Sequence, residues 1–255
     1  MSLKVPPSYS KFPPVEHGGT TQVCCITINQ SNLIRLIGTP PELTHPVRLA
    51  IQSVSSQAKS QYSQGYERSY HGAHEFELGF SAWTGSGSDA ILSRKILVAI
   101  LKTMAERGWN LIQAVDISKK ENDKDAMFFV HTPIPDTLNV EMFAISFNDV
   151  SAIRMIDAPE HLLAPIKEAI TKHWKVFGVG YTDYKGSRQL CLHDTPFKAN
   201  GGDTVRSRLM IAQLLATIMA HGYKLYASVD ISSGKFSDGR DLDSWVFRRV
   251  DAAWQ

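Results

Sequence analysis

Two arginines and two aspartates recur in a matched pattern that could do chemistry. Arg94 and Arg208 each follow a serine, and Asp116 and Asp230 each stand in a Val-Asp-Ile-Ser string, at 115–118 and 229–232. Steps of three, four and seven from Arg94 reach Leu97, Val98 and Leu101. The same steps from Arg208 reach Ile211, Ala212 and Leu215. Both guanidinium groups therefore belong on or beside an apolar helix stripe. An arginine there needs an acceptor, because a buried unpaired charge is costly. Asp116 and Asp230, at the ends of predicted strands, are the natural partners. Read structurally, each pair is a clamp fixing helix to sheet. Read functionally, the arginines bind an anion and the aspartates orient them. A third reading makes Asp116 and Asp230 a catalytic carboxylate pair that converges across an interface. Against it, an aspartate with a serine two residues on is ordinary turn chemistry.

Other chemistry-bearing residues are weaker signals. Trp83 and Phe197 occupy matched positions, as do Tyr70 and Tyr184. Such aromatics serve as core packing or as the lining of a ligand groove. The glycine- and serine-rich stretch 84–88 enters a helix as phosphate-binding loops do, but it has neither the Gly-Lys-Ser/Thr ending nor a GxGxxG pattern. Asp89 and Asp203 would also repel an anion there. His71 and His74 have a spacing that some metal sites use, yet the matched residues are Lys185 and Arg188 and no third ligand is evident, so no metal is expected. Cys25 as a nucleophile has Ala144 as its counterpart and no indicated base. No cofactor motif is present, and none is expected to bind.

These matches belong to one collinear series. Ile26-Thr27-Ile28-Asn29 aligns with Ile145-Ser146-Phe147-Asn148, and Arg35, Pro40, Leu43 and Pro46 with Arg154, Pro159, Leu162 and Pro165. After a shift in offset, Gly87 and Asp89 meet Gly201 and Asp203, Ser93-Arg94 meet Ser207-Arg208, and Gly108 meets Gly222. Asp125 and Phe129 then meet Asp243 and Phe247. The chain is a tandem duplication, with copy 1 at 21–135, copy 2 at 140–250 and a flexible segment at 1–20. Length differences fall in 52–65 and 233–241, which marks loops.

The expected fold class is α+β, with a β-β-α-β-α-β-β unit in each copy. Runs at 23–28 and 33–37 read as strands, 42–53 as a helix, and 75–80 as a strand. A long, widely apolar helix follows at about 89–107, with its echo at 203–221. Asp89 and Asp203 are placed as N-caps and Gly108 and Gly222 as left-handed ends. Strands at 110–117 and 126–132 close the unit around the turn 119–124. Short connections imply mostly antiparallel sheets with helices on one face. The short linker at about 133–140 implies two copies in contact, packed as a pseudo-twofold body.

Composition bounds the class. The chain has 255 residues, 43% hydrophobic and 20% charged, with a formal net charge of +2. This balance gives no electrostatic footprint for nucleic acid or for a membrane surface. Three cysteines, two of them adjacent and none in CxxC, point to a reducing compartment, the cytoplasm. The first 20 residues carry no apolar core, so no secretory signal is expected, and no run is long enough for a membrane span.

The string Ile34-Arg35-Leu36-Ile37-Gly38-Thr39-Pro40-Pro41-Glu42-Leu43 has an echo in Ile153-Arg154-Met155-Ile156-Asp157-Ala158-Pro159. With Gly108-Trp109 and Asp116-Ile117-Ser118, it resembles a group of eukaryotic proteins, fungal ones among them, that are uncharacterised tandem-repeat proteins. The resemblance spans nearly all of 21–250. It implies an architecture and transfers no chemistry. The functional expectation is a non-enzymatic binding or adaptor protein that takes a small molecule or another protein, with a ligand or peptide groove between the repeats. The alternative is an enzyme with an inter-repeat cleft built from Arg94, Asp116, Arg208 and Asp230.

Overall fold

The computed structural model describes residues 22–56, 65–84, 87–118, 124–132, 140–178, 180–231 and 242–251. The segment 1–20 and most of 119–124, 133–140 and 233–241 lie outside them.

Alternation builds the strands. β1 (Val23–Asn29) turns Cys24, Ile26 and Ile28 into a core and Cys25, Thr27 and Asn29 to the other face. It pairs antiparallel with β2 (Leu33–Ile37) through a turn at Gln30, whose φ is 52°. Asp149, with φ of 51°, holds the equivalent turn in copy 2. α1 (Thr44–Ser55) buries Val47, Ala50, Ile51 and Val54, which share one helical face. β3 (Tyr66–Tyr70) and β4 (Ala73–Glu77) form a hairpin before α2 (Gly87–Ala105). β5 (Trp109–Val115) and β6 (Ala126–His131) complete copy 1.

Copy 2 repeats this order. Its elements are β7 (Met142–Asn148), β8 (Ala152–Ile156), α3 (Glu160–Thr171), β9 (Thr182–Tyr184), β10 (Ser187–Cys191), α4 (Gly202–Ala220), β11 (Tyr223–Val229) and β12 (Ser244–Arg249). The copy 1 sheet runs β3-β4-β2-β1-β6-β5, and the copy 2 sheet has the matching order β9-β10-β8-β7-β12-β11. Every strand pairing is antiparallel.

The duplication and the α+β class stand as expected, with six strands per copy rather than five. The additional strand, β3, is exposed at every position. It therefore has no apolar alternation to reveal it. Arg68 Nε donates to Glu75 Oε1 at 2.6 Å and fastens β3 to β4. The long helices form as expected, but Asp89 and Asp203 sit inside their first turns. Gly201, at φ 56°, is the N-cap of α4. The two acids face the helix dipole in place of capping it. Gly108 (φ 78°) and Gly222 (φ 85°) end the helices, their amides donating to Ala105 O and Met219 O at 3.0 Å each.

The copies meet head to tail rather than as the pseudo-twofold body expected from the duplication. A twofold would bury matching positions equally. In α2, Ile91, Arg94, Val98 and Ala105 are buried, whereas Val205, Arg208, Ala212 and Met219 at the same places in α4 are exposed. The reason is that α2 packs on two sheets. One is its own. The other is the helix-free face of the copy 2 sheet, where Met142, Ala144, Ile156 and Val246 join the copy 1 core. The opposite face of that sheet, with Phe143, Ile145 and Phe247, forms a second core with α3 and α4.

Polar contacts pin this joint. Lys95 pairs with Asp157 at 2.7 Å, and Arg94 Nε donates to Ser244 Oγ at 3.1 Å. The Asp125 amide donates to Asp230 O at 3.2 Å, and the Asp230 amide donates back to Asp125 Oδ2 at 2.9 Å. β5 and β11 carry the same bulge, between Leu111 and Gln113 and between Leu225 and Ala227. β5 is the edge strand of its sheet, and its Leu111 amide donates to Oη of Tyr226, on the bulge of β11, at 2.8 Å across the joint. Tyr226→Phe strands that amide and should lower unfolding free energy by about 1–3 kcal/mol in urea denaturation. An unchanged midpoint would mean that water replaces the hydroxyl.

Candidate functional site

An aromatic pocket of about 590 Å³ opens in copy 2, on the face of its sheet that carries α3 and α4. The strand register places its floor. Trp245 lies opposite Ser228 on β11, and both point to the same side as Phe147, near the end of β7. Phe197 enters from the single turn Pro196–Lys198. Ser207 Oγ donates to Pro196 O at 2.8 Å and ties that turn to α4. Phe147 meets Trp245 edge-on at 4.9 Å and Phe197 edge-on at 5.5 Å, the arrangement aromatic quadrupoles favour. Ile211 adds an aliphatic wall.

The rim is polar. Ser228 Oγ donates to Asp243 Oδ2 at 2.7 Å. Arg208 Nη1 reaches Ser207 Oγ only at 3.4 Å, and among the described residues no carboxylate stands within ion-pair distance of the guanidinium. A guanidinium beside three aromatic rings, with no carboxylate paired to it among the described residues, is suited to an apolar planar molecule that bears an acidic group. A smaller pocket of about 300 Å³ beside α1 and the β3–β4 hairpin is less suited, because its Arg48 already pairs twice with Glu67, at 2.6 and 2.8 Å.

In copy 1 the equivalent constellation is closed. Trp83 is fully buried and its indole N–H donates to Leu33 O at 3.1 Å. Arg94 donates to Ala90 O at 3.0 Å and to Ser93 Oγ at 3.3 Å, besides Ser244 of copy 2. Asp125, the counterpart of Asp243, accepts from Asp230. The residues that line a pocket in copy 2 thus hold the joint in copy 1.

Of the sequence candidates, Arg208 and Phe197 come together in the pocket, and Arg94 and Trp83 are buried in the copy 1 core. Asp116 is exposed and its Oδ1 accepts the Ser118 amide at 2.8 Å, so it caps its own turn and does not clamp Arg94. Asp230 is half-buried at the joint. The copy 2 sheet stands between Arg94, on its helix-free side, and Arg208 on the other. The four groups therefore do not share a cavity. Sequence reasoning missed Phe147, Trp245 and Asp243 as site residues. The signal that could have found them is a difference between copies, since Phe147 and Trp245 replace Ile28 and Met127.

The remaining candidates are placed as follows. His74 Nε2 lies 2.9 Å from Glu67 Oε2, and no group of three metal-ligating side chains occurs among the described residues. Burial pushes the Cys24 thiol up to about 12 and Cys25 up to about 11, so neither is a ready thiolate near neutral pH. No helix among the described residues is long and apolar enough to cross a membrane.

Two comparisons check this account. Arg94→Ala removes a buried side chain and should cost about 2–3 kcal/mol, while Arg208→Ala should stay within about 0.5 kcal/mol of wild type by chemical denaturation. Equal losses would contradict the asymmetry. Burial, with the charges of Asp243 and Asp116, raises the Asp125 carboxyl above its ordinary range, against the lowering effect of the Asp230 amide. A raised carboxyl costs stability as pH climbs through the acidic range. Asp125→Asn keeps an acceptor for that amide, so it should raise the melting temperature at neutral pH, and the gain should fade on acidification.

One domain-family model, from a family with no characterised activity, matches the chain twice, at residues 22–130 and 141–248. No curated protein and no solved structure matches it. The two matches cover most of the chain and coincide with the two six-stranded sheets, and the chain belongs to that uncharacterised family, carrying its domain in tandem.

Proposed function

We propose that this is a non-enzymatic binding protein whose ligand is a small, planar, apolar molecule with an anionic group, held in the copy 2 pocket. One observation carries the reading: among the described residues Arg208 has no ionic partner beside Phe147, Phe197 and Trp245, whereas its counterpart Arg94 is satisfied inside the fold. The aromatic rings supply apolar contact at low entropic cost, and the guanidinium selects the acid. Asp243 on the rim disfavours a second negative charge and suits an N–H or O–H donor on the ligand. The site lies in one copy rather than between the repeats, with copy 1 serving as the scaffold. The enzymatic alternative has less support, because Arg94, Asp116, Arg208 and Asp230 are spread over both sides of a sheet. Three free cysteines suit a reducing compartment, and we place the protein in the cytoplasm on that ground.

The test is binding of 8-anilinonaphthalene-1-sulfonate, an aromatic anion with a planar naphthalene ring, followed by its fluorescence and by quenching of tryptophan emission. One saturable site is expected, weakened about tenfold or more by Arg208→Ala, equivalent to one charge-assisted contact. Phe197→Ala should weaken it too. A thermal-shift screen of metabolite acids then identifies the natural class. Binding that ignores Arg208→Ala, or no saturable site at all, would sink the reading.

A further inference from the structure

The joint between the copies uses two surfaces, and each chain carries a second, unused specimen of both. Copy 1 offers a helix face and copy 2 accepts it on its helix-free sheet face. The matching helix face of copy 2 and the matching sheet face of copy 1 are open. Val205 is 71% exposed where Ile91 is 2%, and Ile117 is 70% exposed where Ile231 is 2%. On the sheet, Val23, Ile37, Ile112 and Ile117 stand open. On and beside α4, so do Val205, Leu209, Met219 and Leu225. These eight are most of the thirteen exposed large apolar side chains among the described residues, which is more than scatter would place on two patches.

Three of the four polar links of the joint keep a match on the two open faces, while Arg94 on Ser244 would become Arg208 against Ala126. The Lys95–Asp157 ion pair of the joint would become Leu209 against Gly38, so the charge disappears from both sides together. The reciprocal Asp125–Asp230 contact would become Asp243 against Asp116, with both aspartates retained. Tyr226 against Leu111 would become Ile112 against Leu225, both exposed and apolar.

We propose that the chain self-associates head to tail, with α4 of one chain on the helix-free face of the copy 1 sheet of a second copy. Each such contact repeats the internal joint, and being heterologous it joins chains end to end, helix face on sheet face. A heterologous contact of this kind needs no new surface chemistry, because the fold already builds it once. Arg208, like Arg94, then comes under a sheet, and the aromatic pocket becomes enclosed. The proposal does not depend on a ligand, and Val205 and Leu209 do not line the pocket.

Light scattering after size exclusion, at concentrations on the order of 100 µM, reads the mass. The wild type should have the mass of two chains or more. Leu209→Glu on the helix face and Val23→Glu on the sheet face should each reduce it to one chain. Both sites are exposed, so circular dichroism should be unchanged, and melting should match that of the wild type diluted to one chain; Val205→Glu and Ile117→Glu repeat the test independently. An equimolar mixture of the two single variants should recover a two-chain species and nothing larger, because the intact helix face of one meets the intact sheet face of the other. A one-chain wild type would overturn the proposal. So would a dimer that resists the sheet variants, which would indicate helix-to-helix pairing, and so would a mixture that stays at one chain.

Discussion

The structure depends on the double burial of α2. A helix that packs on one sheet needs an apolar stripe, whereas one held between two sheets needs apolar residues nearly all round. α2 has them, and its burial draws the helix-free face of the copy 2 sheet into the copy 1 core through Met142, Ala144, Ile156 and Val246. Without that contact each copy would leave one sheet face open to water. With it, copy 2 has helices on one side of its sheet and α2 on the other. Copy 1 has a helix-free face still exposed.

Polar groups at the joint are organised around the same contact. Arg94 lies on α2 within the apolar region, so its guanidinium must find acceptors locally, and it uses Ala90 O, Ser93 and Ser244. The Leu111 amide on the edge strand β5 donates to Tyr226, which sits on the bulge of β11. A local irregularity repeated in both copies thus becomes a specific link between them, and an unsatisfied amide is avoided.

Head-to-tail packing lets two copies of one unit diverge in role. The positions that close the joint in copy 1 are relieved of that duty in copy 2. There, Arg208 needs no acceptor inside the fold, and Ile28 and Met127 give way to Phe147 and Trp245, which build an aromatic floor. The proposed ligand site and the proposed contact with a second chain both follow from this one asymmetry, since each uses a surface that copy 1 has already filled.

The duplication, the long helices and the helix-ending glycines were legible in the residues, because they rest on local periodicity and backbone conformation. Phe197 and Arg208 were legible as matched residues. β3 was not, since an all-exposed edge strand is specified by pairing with its neighbour and by ion pairs such as Arg68–Glu75 rather than by its own pattern. Nor did the sequence identify Arg94 as part of a joint and Arg208 as part of a pocket. Both sit on the same apolar helix stripe with the same serine before them. Only the tertiary structure distinguishes them, because burial depends on which surface arrives from a distant part of the chain, and one copy 2 sheet can cover only one of the two helices.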